Sequence, residues 1–262
     1  VSNAHNGVMA YEHAYQGVEA RKAYFFMGDA MVCMGSGIKA ARTQEVRTSV
    51  NQCLANGEVT YGLSGHTYRL TNNLSDKNID WAYHDNVGYI FPQNESVTLR
   101  KAKQTGAWRE LEVTASDKPV TKEIFSLWVS HGTTPQHEDY CYIIMPDKPL
   151  SYFTDKKFEN EIKIIVNSEQ IQAISNENKR QYAAVFYEPG EIRFAEDLVV
   201  AVNKKVIIYI EKKDKQYEIA VADPLYKEQS LQLSMNGEQI NIVFPSGDYS
   251  GSSVIKHITE KH

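Results

Sequence analysis

The chain has 262 residues, of which 42% are hydrophobic and 23% are charged, and this near-average composition excludes wholesale disorder and a collagen-like architecture. Its 28 Lys and Arg residues against 33 Asp and Glu residues give a net charge of −5, which argues against nucleic acid or an anionic lipid surface as the main partner. No apolar run approaches the roughly 18 residues that cross a bilayer, so we expect no membrane-spanning segment.

The first half of the chain divides into short apolar segments that are separated by Gly, Asn, Asp and Pro residues. Turns recur about every 8–12 residues, a spacing typical of an antiparallel β-sandwich. Residues Glu123–Ser130 are apolar on both faces, which predicts a strand in the interior of a sheet. No segment keeps a helical spacing of apolar residues, so we expect helices to be incidental. The predicted strands lie at residues 20–27, 30–34, 45–54, 58–63, 78–83, 87–91, 97–102, 108–113, 122–131 and 139–145.

The segment Pro149–Asn160 interrupts this pattern and gathers charged residues, as linkers do. A second series of strands follows it. Lys212–Lys215 is typical of a charged hairpin turn, and Asn236-Gly237 favours a two-residue type I′ turn because both positions accept positive φ angles. We therefore predict an all-β chain with a first domain at residues 1–153 and a second at 154–262. The predicted strands of the second domain lie at residues 162–166, 171–174, 181–187, 198–202, 206–211, 217–222, 231–235 and 240–244.

Few residues carry an obvious catalytic or metal-binding pattern. The sequence has no nucleophile elbow, no phosphate-binding loop and no dinucleotide fingerprint. His137-Glu138-Asp139 contains side chains that bind metals, but three adjacent polar residues are more typical of a solvated turn. We predict no metal and no cofactor. The cysteines are too scattered for a zinc cluster and are predicted to be small buried hydrophobic residues; they are Cys33, Cys53 and Cys141.

Two histidines permit either a catalytic or a structural interpretation. His84 precedes Asp85, and His131 ends the segment predicted to be an interior strand. As a general base, either imidazole would use its pKa near neutrality, with Asp85 as the orienting group. Alternatively, Asp85-Asn86 forms a tight turn whose side chains cap the backbone, and His131 satisfies polar groups at the edge of the sandwich. We favour the structural interpretation, because neither histidine has a second carboxylate, an arginine or a nucleophile close to it in the sequence.

Aromatic residues are candidates for contact with a sugar. The chain is rich in tyrosine, with 16 copies against 9 Phe and 3 Trp. Aromatic faces stack on sugar rings, and they also fill ordinary sheet faces. The candidates for stacking are Tyr24, Trp81 and Trp108, although a core position is the commoner fate of an aromatic residue in a strand.

Six strings of residues resemble, in order along the chain, the polysaccharide lyase family 8 enzymes, which are the chondroitin, hyaluronan and xanthan lyases. The first string joins Lys22–Phe26 to Asp29–Ile38, and the family's corresponding run reads K-S-W-F-F and then D-E-I-V-x-L-G-x-G-I. Tyr24 stands where the family often has Trp. The other strings are Val46–Val50, His84–Pro92, Leu127–Gly132, Tyr140–Pro146 and, in the tail, Gln172-Ala173 with Ala222–Pro224.

The resemblance implies a fold, and it implies that the catalytic residues lie in a different domain from this chain. The fold is an antiparallel β-sandwich that is part of a galactose-mutarotase-like supersandwich, followed by a smaller C-terminal β-sandwich. Family members place an α/α toroid before these domains, and the toroid carries a catalytic Asn, His, Tyr and Arg. The resemblance therefore implies that the parent protein is a lyase, that its catalytic residues lie upstream of Val1 with none in this chain, and that the chain alone is inactive. Among the aromatic candidates for sugar stacking, Tyr24 is the predicted substrate-binding residue.

The predicted function is the non-catalytic part of a lyase that cleaves uronic-acid-containing glycosaminoglycans of the chondroitin sulfate or hyaluronan type by β-elimination. In this interpretation the sandwich supports and walls the substrate cleft. The implied partners are the N-terminal α/α toroid and the acidic polysaccharide, and the implied location is secreted or periplasmic, although Val1–Asn6 shows no signal peptide. Two alternatives stay open: a free-standing carbohydrate-binding module without enzyme activity, and a structural sandwich with no glycan role.

Overall fold

In the computed structural model, which describes residues 1–41 and 43–260, the chain folds almost entirely into antiparallel β-strands. The predicted all-β class is confirmed. The described elements are, in chain order, β1 (Gly7–Tyr15), β2 (Val18–Met27), β3 (Ala30–Ala40), β4 (Arg47–Leu54), β5 (Thr60–Leu63), β6 (His66–Arg69), β7 (Leu74–Asp76), β8 (Ile79–His84), β9 (Val87–Ile90), β10 (Val97–Gly106), β11 (Val120–Ser130), β12 (Glu138–Pro146), α1 (Leu150–Thr154), β13 (Lys163–Asn167), β14 (Ile171–Asn176), β15 (Gln181–Phe186), β16 (Gly190–Ala195), β17 (Leu198–Val202), β18 (Val206–Lys213), β19 (Gln216–Ala222), β20 (Ser230–Met235), β21 (Glu238–Val243) and β22 (Val254–Thr259).

The strands gather into two compact units. The first unit contains residues 1–40, 136–144 and 156 onward, and the second contains residues 41–135 and 145–155. The predicted domain boundary near residue 153 stays a prediction, because packing units do not report which segments fold separately. No helix in the described part of the chain is long and apolar enough to cross a membrane.

The first unit contains a sandwich of two sheets. A six-stranded sheet has the order β13-β14-β15-β18-β19-β22, and a four-stranded sheet has the order β16-β17-β20-β21. Side chains from both sheets form one buried hydrophobic cluster, which includes Phe186, Ile208 and Leu233. Strict alternation along β17 and β20 sends every second residue into this cluster.

The six-stranded sheet is buried on its other face as well, where Ile174, Ala183 and Ile207 are almost inaccessible. In the same unit, β1, β2, β3 and β12 are neighbours in that order, and β1 and β2 contact β15 and β18. At this contact the Tyr187 hydroxyl oxygen lies 3.2 Å from the backbone carbonyl oxygen of Lys22. The first strands of the chain therefore cover the outer face of the C-terminal sandwich.

The second unit contains two runs of strands, β9-β8-β5-β6 and β4-β11-β10-β7. Residues of β10 and β11 that share one face are fully buried, among them Leu99, Phe125 and Leu127. β11 lies between β4 and β10, which confirms the interior strand predicted from Glu123–Ser130.

One turn was predicted correctly from the sequence, and one loop was wrongly predicted to be a strand. Asn236 and Gly237 have φ angles of 51° and 84°, as the predicted type I′ turn requires. The predicted strand at residues 108–113 is wrong, because Trp108–Glu110 forms a 3₁₀ turn in the loop between β10 and β11. The helix α1 lies inside the predicted linker, and five strands were not predicted, namely β1, β6, β7, β16 and β22.

Candidate functional site

β1 and β2 present an aromatic surface to solvent. Residues that lie opposite each other in an antiparallel pair project from the same face of the sheet, and alternate residues share that face. Met9 lies opposite Tyr24, and Tyr11 lies opposite Lys22. The side chains on this side form what we call the β1–β2 aromatic face, namely Met9, Tyr11, His13, Tyr15, Lys22, Tyr24 and Phe26.

The β1–β2 aromatic face is exposed although its residues are largely apolar. Tyr11 is 54% exposed, Tyr15 is 65% exposed and Phe26 is 40% exposed. The Tyr11 and His13 rings meet edge to face, with 5.8 Å between their centroids. A contiguous exposed patch of this kind is typical of an interaction surface rather than of an ordinary solvated sheet face.

The opposite face of the same two strands is buried core. Val8, Ala23 and Phe25 are at most 1% exposed. On the same side of the strand pair, Arg21 of β2 forms ion pairs with Glu12 of β1 and with Glu188 of the sandwich. The exposed aromatic side chains are thus displayed on a strand pair that is held rigidly from behind, as a binding surface needs.

Tyr24, the predicted substrate-binding residue, is half-buried within this face. It lies between Met9 on β1 and Cys33 on β3. Burial, and to a lesser degree the neighbouring Cys33, raises the pKa of the Tyr24 hydroxyl, so it is a neutral hydrogen-bond donor at physiological pH. The substrate-binding role of Tyr24 stays a prediction.

One cation belongs to the β1–β2 aromatic face. Lys22 is half-buried, and its burial lowers its pKa from the ordinary value. An ammonium beside aromatic rings suits a ligand that combines sugar rings with negative groups, because the rings stack on the sugar and the ammonium pairs with the anion.

His84 lies in the second unit and is unsuited to act as a base. It is 1% exposed, its Nδ1 lies 3.7 Å from Cys53 Sγ, and its Nε2 has no hydrogen-bond partner. Burial lowers the pKa of His84, so the ring is neutral. Asp85 accepts a hydrogen bond from Asn56 rather than from the imidazole. Asp85 and Asn86 both have positive φ and form a tight hairpin turn, as in the structural interpretation.

His131 is also held by structural contacts. It is 8% exposed, its Nε2 lies 2.8 Å from Thr48 Oγ1, and its backbone N–H donates to the Val46 carbonyl at 2.9 Å. These bonds join the end of β11 to β4, as expected of a histidine at the edge of the sandwich.

The two tryptophan candidates have opposite environments. Trp81 is 2% exposed and packs beside Phe153, with 6.0 Å between ring centroids. A Cβ on Gly62 would lie 2.3 Å from Trp81 Nε1, so the ring fits only against a glycine. The sugar-stacking role considered for Trp81 is therefore wrong, whereas Trp108 is 63% exposed on its loop.

The polar and cysteine candidates behave as ordinary structural residues. His137 pairs with Glu169, with 2.6 Å between Nδ1 and Oε1. Across residues 1–41 and 43–260, no three His, Cys, Asp or Glu side chains gather closely enough to hold a metal ion. None of the cysteines forms a disulfide within the described residues; Cys33 and Cys141 are buried and Cys53 is partly buried. Burial raises the pKa of the Cys33 thiol to about 11, which leaves it protonated and unreactive.

Sequence reasoning missed most of the β1–β2 aromatic face. A signal was present, because Met9, Tyr11 and Tyr15 recur with the period of two that marks one face of a strand. The polar His13 interrupts this series, and the alternate positions hold Ala10, Glu12 and Ala14, so β1 was not predicted.

Comparison with known proteins gives a consistent result. The model of the polysaccharide lyase family 8 super-sandwich domain matches residues 1–157, and the model of that family's C-terminal β-sandwich domain matches residues 163–232. Chondroitinase-AC from Pedobacter heparinus is 30% identical over 97% of this chain and 37% of its own length. A hyaluronate lyase from Thermasporomyces composti is 24% identical over 90% of this chain and 30% of its own length.

Among solved structures, a chondroitinase AC lyase determined in enzyme–oligosaccharide complexes superposes with a TM-score of 0.91 and 27% identity. The match covers 98% of this chain and 39% of that enzyme. The chain thus spans well under half the length of the proteins that it resembles.

Proposed function

Because this chain belongs to polysaccharide lyase family 8, we propose that it is the non-catalytic β-sandwich part of an enzyme that cleaves uronic-acid-containing glycosaminoglycans of the chondroitin sulfate or hyaluronan type by β-elimination. Both matching family models are sandwich domains, and they account for most of the chain. The proposal divides the chain at about residue 153, into the end of the large sandwich and the small C-terminal sandwich.

The chemistry of β-elimination explains why the catalytic groups are assigned elsewhere. The substrate carboxylate must be neutralised so that the proton on C5 becomes acidic, a base must remove that proton, and an acid must protonate the leaving oxygen. His84 is buried and neutral, and His131 is bonded to Thr48, so neither supplies the base. We assign these roles to the α/α toroid that the family resemblance implies, which is also the proposed partner of this chain.

The observation that carries the wall role is the β1–β2 aromatic face. Tyr11, Tyr24 and Lys22 offer stacking surfaces, a hydroxyl and a cation on one rigid strand pair. An extended acidic polysaccharide needs such a surface because its rings stack on aromatic side chains while its carboxylates or sulfates pair with the ammonium. The proposed location is outside the cytoplasm, where such polymers occur.

The test of this proposal separates binding from cleavage. The purified chain is mixed with chondroitin sulfate or hyaluronan, and the ultraviolet absorbance of unsaturated uronate products is followed. We expect no rise with the chain alone, and a steady rise would overturn the non-catalytic role. In parallel, affinity electrophoresis measures glycan binding by the wild type and by Tyr11→Ala, with the exposed Tyr249→Ala as the matched control.

The free-standing carbohydrate-binding module is the second candidate, because the same exposed aromatic residues suit it. Co-purification from the native source decides between the two. A stable complex with an α-helical catalytic domain supports the lyase part, whereas tight glycan binding by a chain that never associates with such a domain supports the module.

A further inference from the structure

The second unit has a basic sheet face that the proposed function does not use. β4, β11 and β10 are neighbours in that order, and alternate residues of each strand share a face. Phe125 marks the core side, because its ring lies 4.7 Å from the ring of His84 on β8. The side chains on the opposite side form what we call the basic sheet face, namely Arg47, Gln52, Arg100, Lys122, Ile124 and Trp128.

Three cations cross the basic sheet face in a regular row. Arg47 lies opposite Ser130 of β11, and Arg100 lies opposite Ser126 of the same strand. Lys122 is on β11 itself. The cations are therefore level with successive positions of β11 that are four residues apart, which is about 13 Å at roughly 3.3 Å per residue. A single small anion cannot reach groups so far apart, whereas an extended chain with repeated negative groups can.

The three cations are exposed and available to a ligand. The side chains of Arg100 and Lys122 form no ion pair or hydrogen bond within residues 1–41 and 43–260. The Arg47 side chain is 50% exposed, and its guanidinium carbon lies 4.6 Å from the centre of the Trp128 ring. A guanidinium over an aromatic ring is held by the ring while its N–H groups stay free to donate outward.

The three strands contribute no carboxylate to the basic sheet face. Neither β4 nor β10 contains an acidic residue. Glu123 of β11 projects from the other side of the sheet, where it forms an ion pair with Lys101 at 3.5 Å. Glu45, which precedes β4, accepts a hydrogen bond from Arg47 Nε at 2.7 Å. Three cations thus meet one carboxylate here, although the whole chain has a net charge of −5.

Acidic residues at the ends of the strands do not reverse this sign. Asp76 of β7 lies opposite the buried Val97, so it belongs to the core side of the sheet. Glu95, which precedes β10, is only 8% exposed. The loop at residues 107–119, beyond Lys122, carries two basic and three acidic side chains. The basic sheet face therefore keeps a positive excess, which attracts a polyanion.

We propose that the basic sheet face binds a segment of a sulfated glycosaminoglycan. The proposal rests on the proposed function, since the ligand is the same class of polymer, and it gives that polymer a second site on the second unit. Arg47, Arg100 and Lys122 pair with successive sulfate or carboxylate groups through charge-assisted hydrogen bonds. Between the cations, Trp128 and Ile124 are partly exposed and offer apolar surface to the sugar rings.

A sulfated polymer suits this face better than hyaluronan does. Chondroitin sulfate carries a sulfate ester as well as a carboxylate in each disaccharide, whereas hyaluronan carries the carboxylate alone. More of the three cations can therefore be paired at once by the sulfated chain, and each additional pair adds to the affinity.

The test measures the binding of the whole 262-residue chain to chondroitin sulfate, to hyaluronan and to poly-L-glutamate, a polyanion without sugar rings. Affinity electrophoresis compares the wild type with Arg100→Gln and with the double variant Arg100→Gln/Lys122→Gln. Lys103→Gln is the matched control, because it removes an exposed cation of β10 from the opposite side of the sheet. Tyr11→Ala, which changes the β1–β2 aromatic face, is measured beside them.

We expect Arg100→Gln to weaken the binding of chondroitin sulfate about threefold and the double variant about tenfold, while Lys103→Gln leaves it unchanged. Chondroitin sulfate should bind the wild type more tightly than hyaluronan, and poly-L-glutamate should bind least tightly. Equal effects of Arg100→Gln and Lys103→Gln, equal binding of the two glycans, or poly-L-glutamate binding as tight as that of chondroitin sulfate would overturn the proposal.

The variants also separate this site from the proposed wall. Loss of binding in Tyr11→Ala with no change in the double variant would overturn the basic sheet face and leave the β1–β2 aromatic face intact. Loss of binding in the double variant with no change in Tyr11→Ala would support the basic sheet face and contradict the wall.

Discussion

The two faces of the β1–β2 strand pair offer opposite environments to a ligand. One face displays exposed rings and Lys22, and on the other Val8, Ala23 and Phe25 are at most 1% exposed. A polysaccharide can reach only the first face. The difference shows that the family fold alone does not determine what a surface binds, since the side chains that each face presents decide it.

Two neighbouring residues on β2 should separate the buried face from the exposed face most clearly. Phe25 is fully buried, and Phe26 is 40% exposed on the β1–β2 aromatic face. We expect Phe25→Ala to lower the free energy of unfolding by about 3–5 kcal/mol, because it empties a packed core site. Phe26→Ala should change it by less than about 1 kcal/mol while weakening glycan binding. Urea denaturation measures both variants, and similar losses of stability would show that the aromatic face is core rather than a binding surface.

Two tyrosines, one buried behind the strand pair and one exposed on it, extend the same contrast. The Tyr187 hydroxyl donates to Gln172 Oε1 at 2.7 Å, whereas Tyr11 is 54% exposed. Tyr187→Phe should destabilise the chain by about 1–3 kcal/mol, because it leaves a buried acceptor unsatisfied. Tyr11→Phe should change the free energy of unfolding by less than about 0.5 kcal/mol. Thermal melts measure both variants, and equal losses of stability would contradict the exposure of Tyr11.

The second unit responds to acid through His84. Burial lowers the pKa of His84, so between that lowered value and the ordinary value of 6.5 the unfolded chain binds more protons than the folded chain. Stability therefore falls as the pH falls from 6.5 through that window. His84→Phe should flatten this dependence in melts between pH 7 and 5, whereas the exposed His66→Gln should not. Parallel curves for wild type and His84→Phe would contradict the neutral, buried imidazole.

The smallest expected effect concerns salt. We expect binding of chondroitin sulfate to the β1–β2 aromatic face to depend partly on the charge of Lys22. Added salt should therefore weaken binding modestly, and Lys22→Gln should reduce that sensitivity. Affinity electrophoresis at two salt concentrations measures the change. An equal salt response in wild type and Lys22→Gln would mean that Lys22 makes no contact with the polymer.

The sequence predicted features that depend on adjacent residues, such as turns. It did not predict surfaces that depend on how distant strands pack together. Asn236-Gly237 specified its turn because two consecutive positive φ angles strongly favour such residues. Trp108–Val113 resembled a strand in its apolar spacing, yet Trp108, Leu111 and Val113 are exposed on a loop. Local apolar spacing carries no information on whether a sheet lies behind the segment.

The candidate site was reached only in part. The string around Lys22–Phe26 drew attention to Tyr24, but the exposure of Tyr11 and Tyr15 depends on β1 lying at the edge of its sheet, which strand pairing decides. Trp81 was considered beside Tyr24, and its burial depends on Gly62 from a neighbouring strand.

Hydrogen exchange of the whole chain, with and without a chondroitin sulfate oligosaccharide, reports whether the glycan lies on the β1–β2 aromatic face. β1 is the edge strand, so its outward amides exchange readily and report any ligand laid across it. We predict slower exchange at Gly7–Tyr15 and Val18–Met27 on glycan addition, with the segment around Asn236 unchanged. Unchanged exchange in β1 and β2 at saturating oligosaccharide, or protection confined to the segment around Asn236, would contradict the assignment of the β1–β2 aromatic face as the glycan-contacting wall.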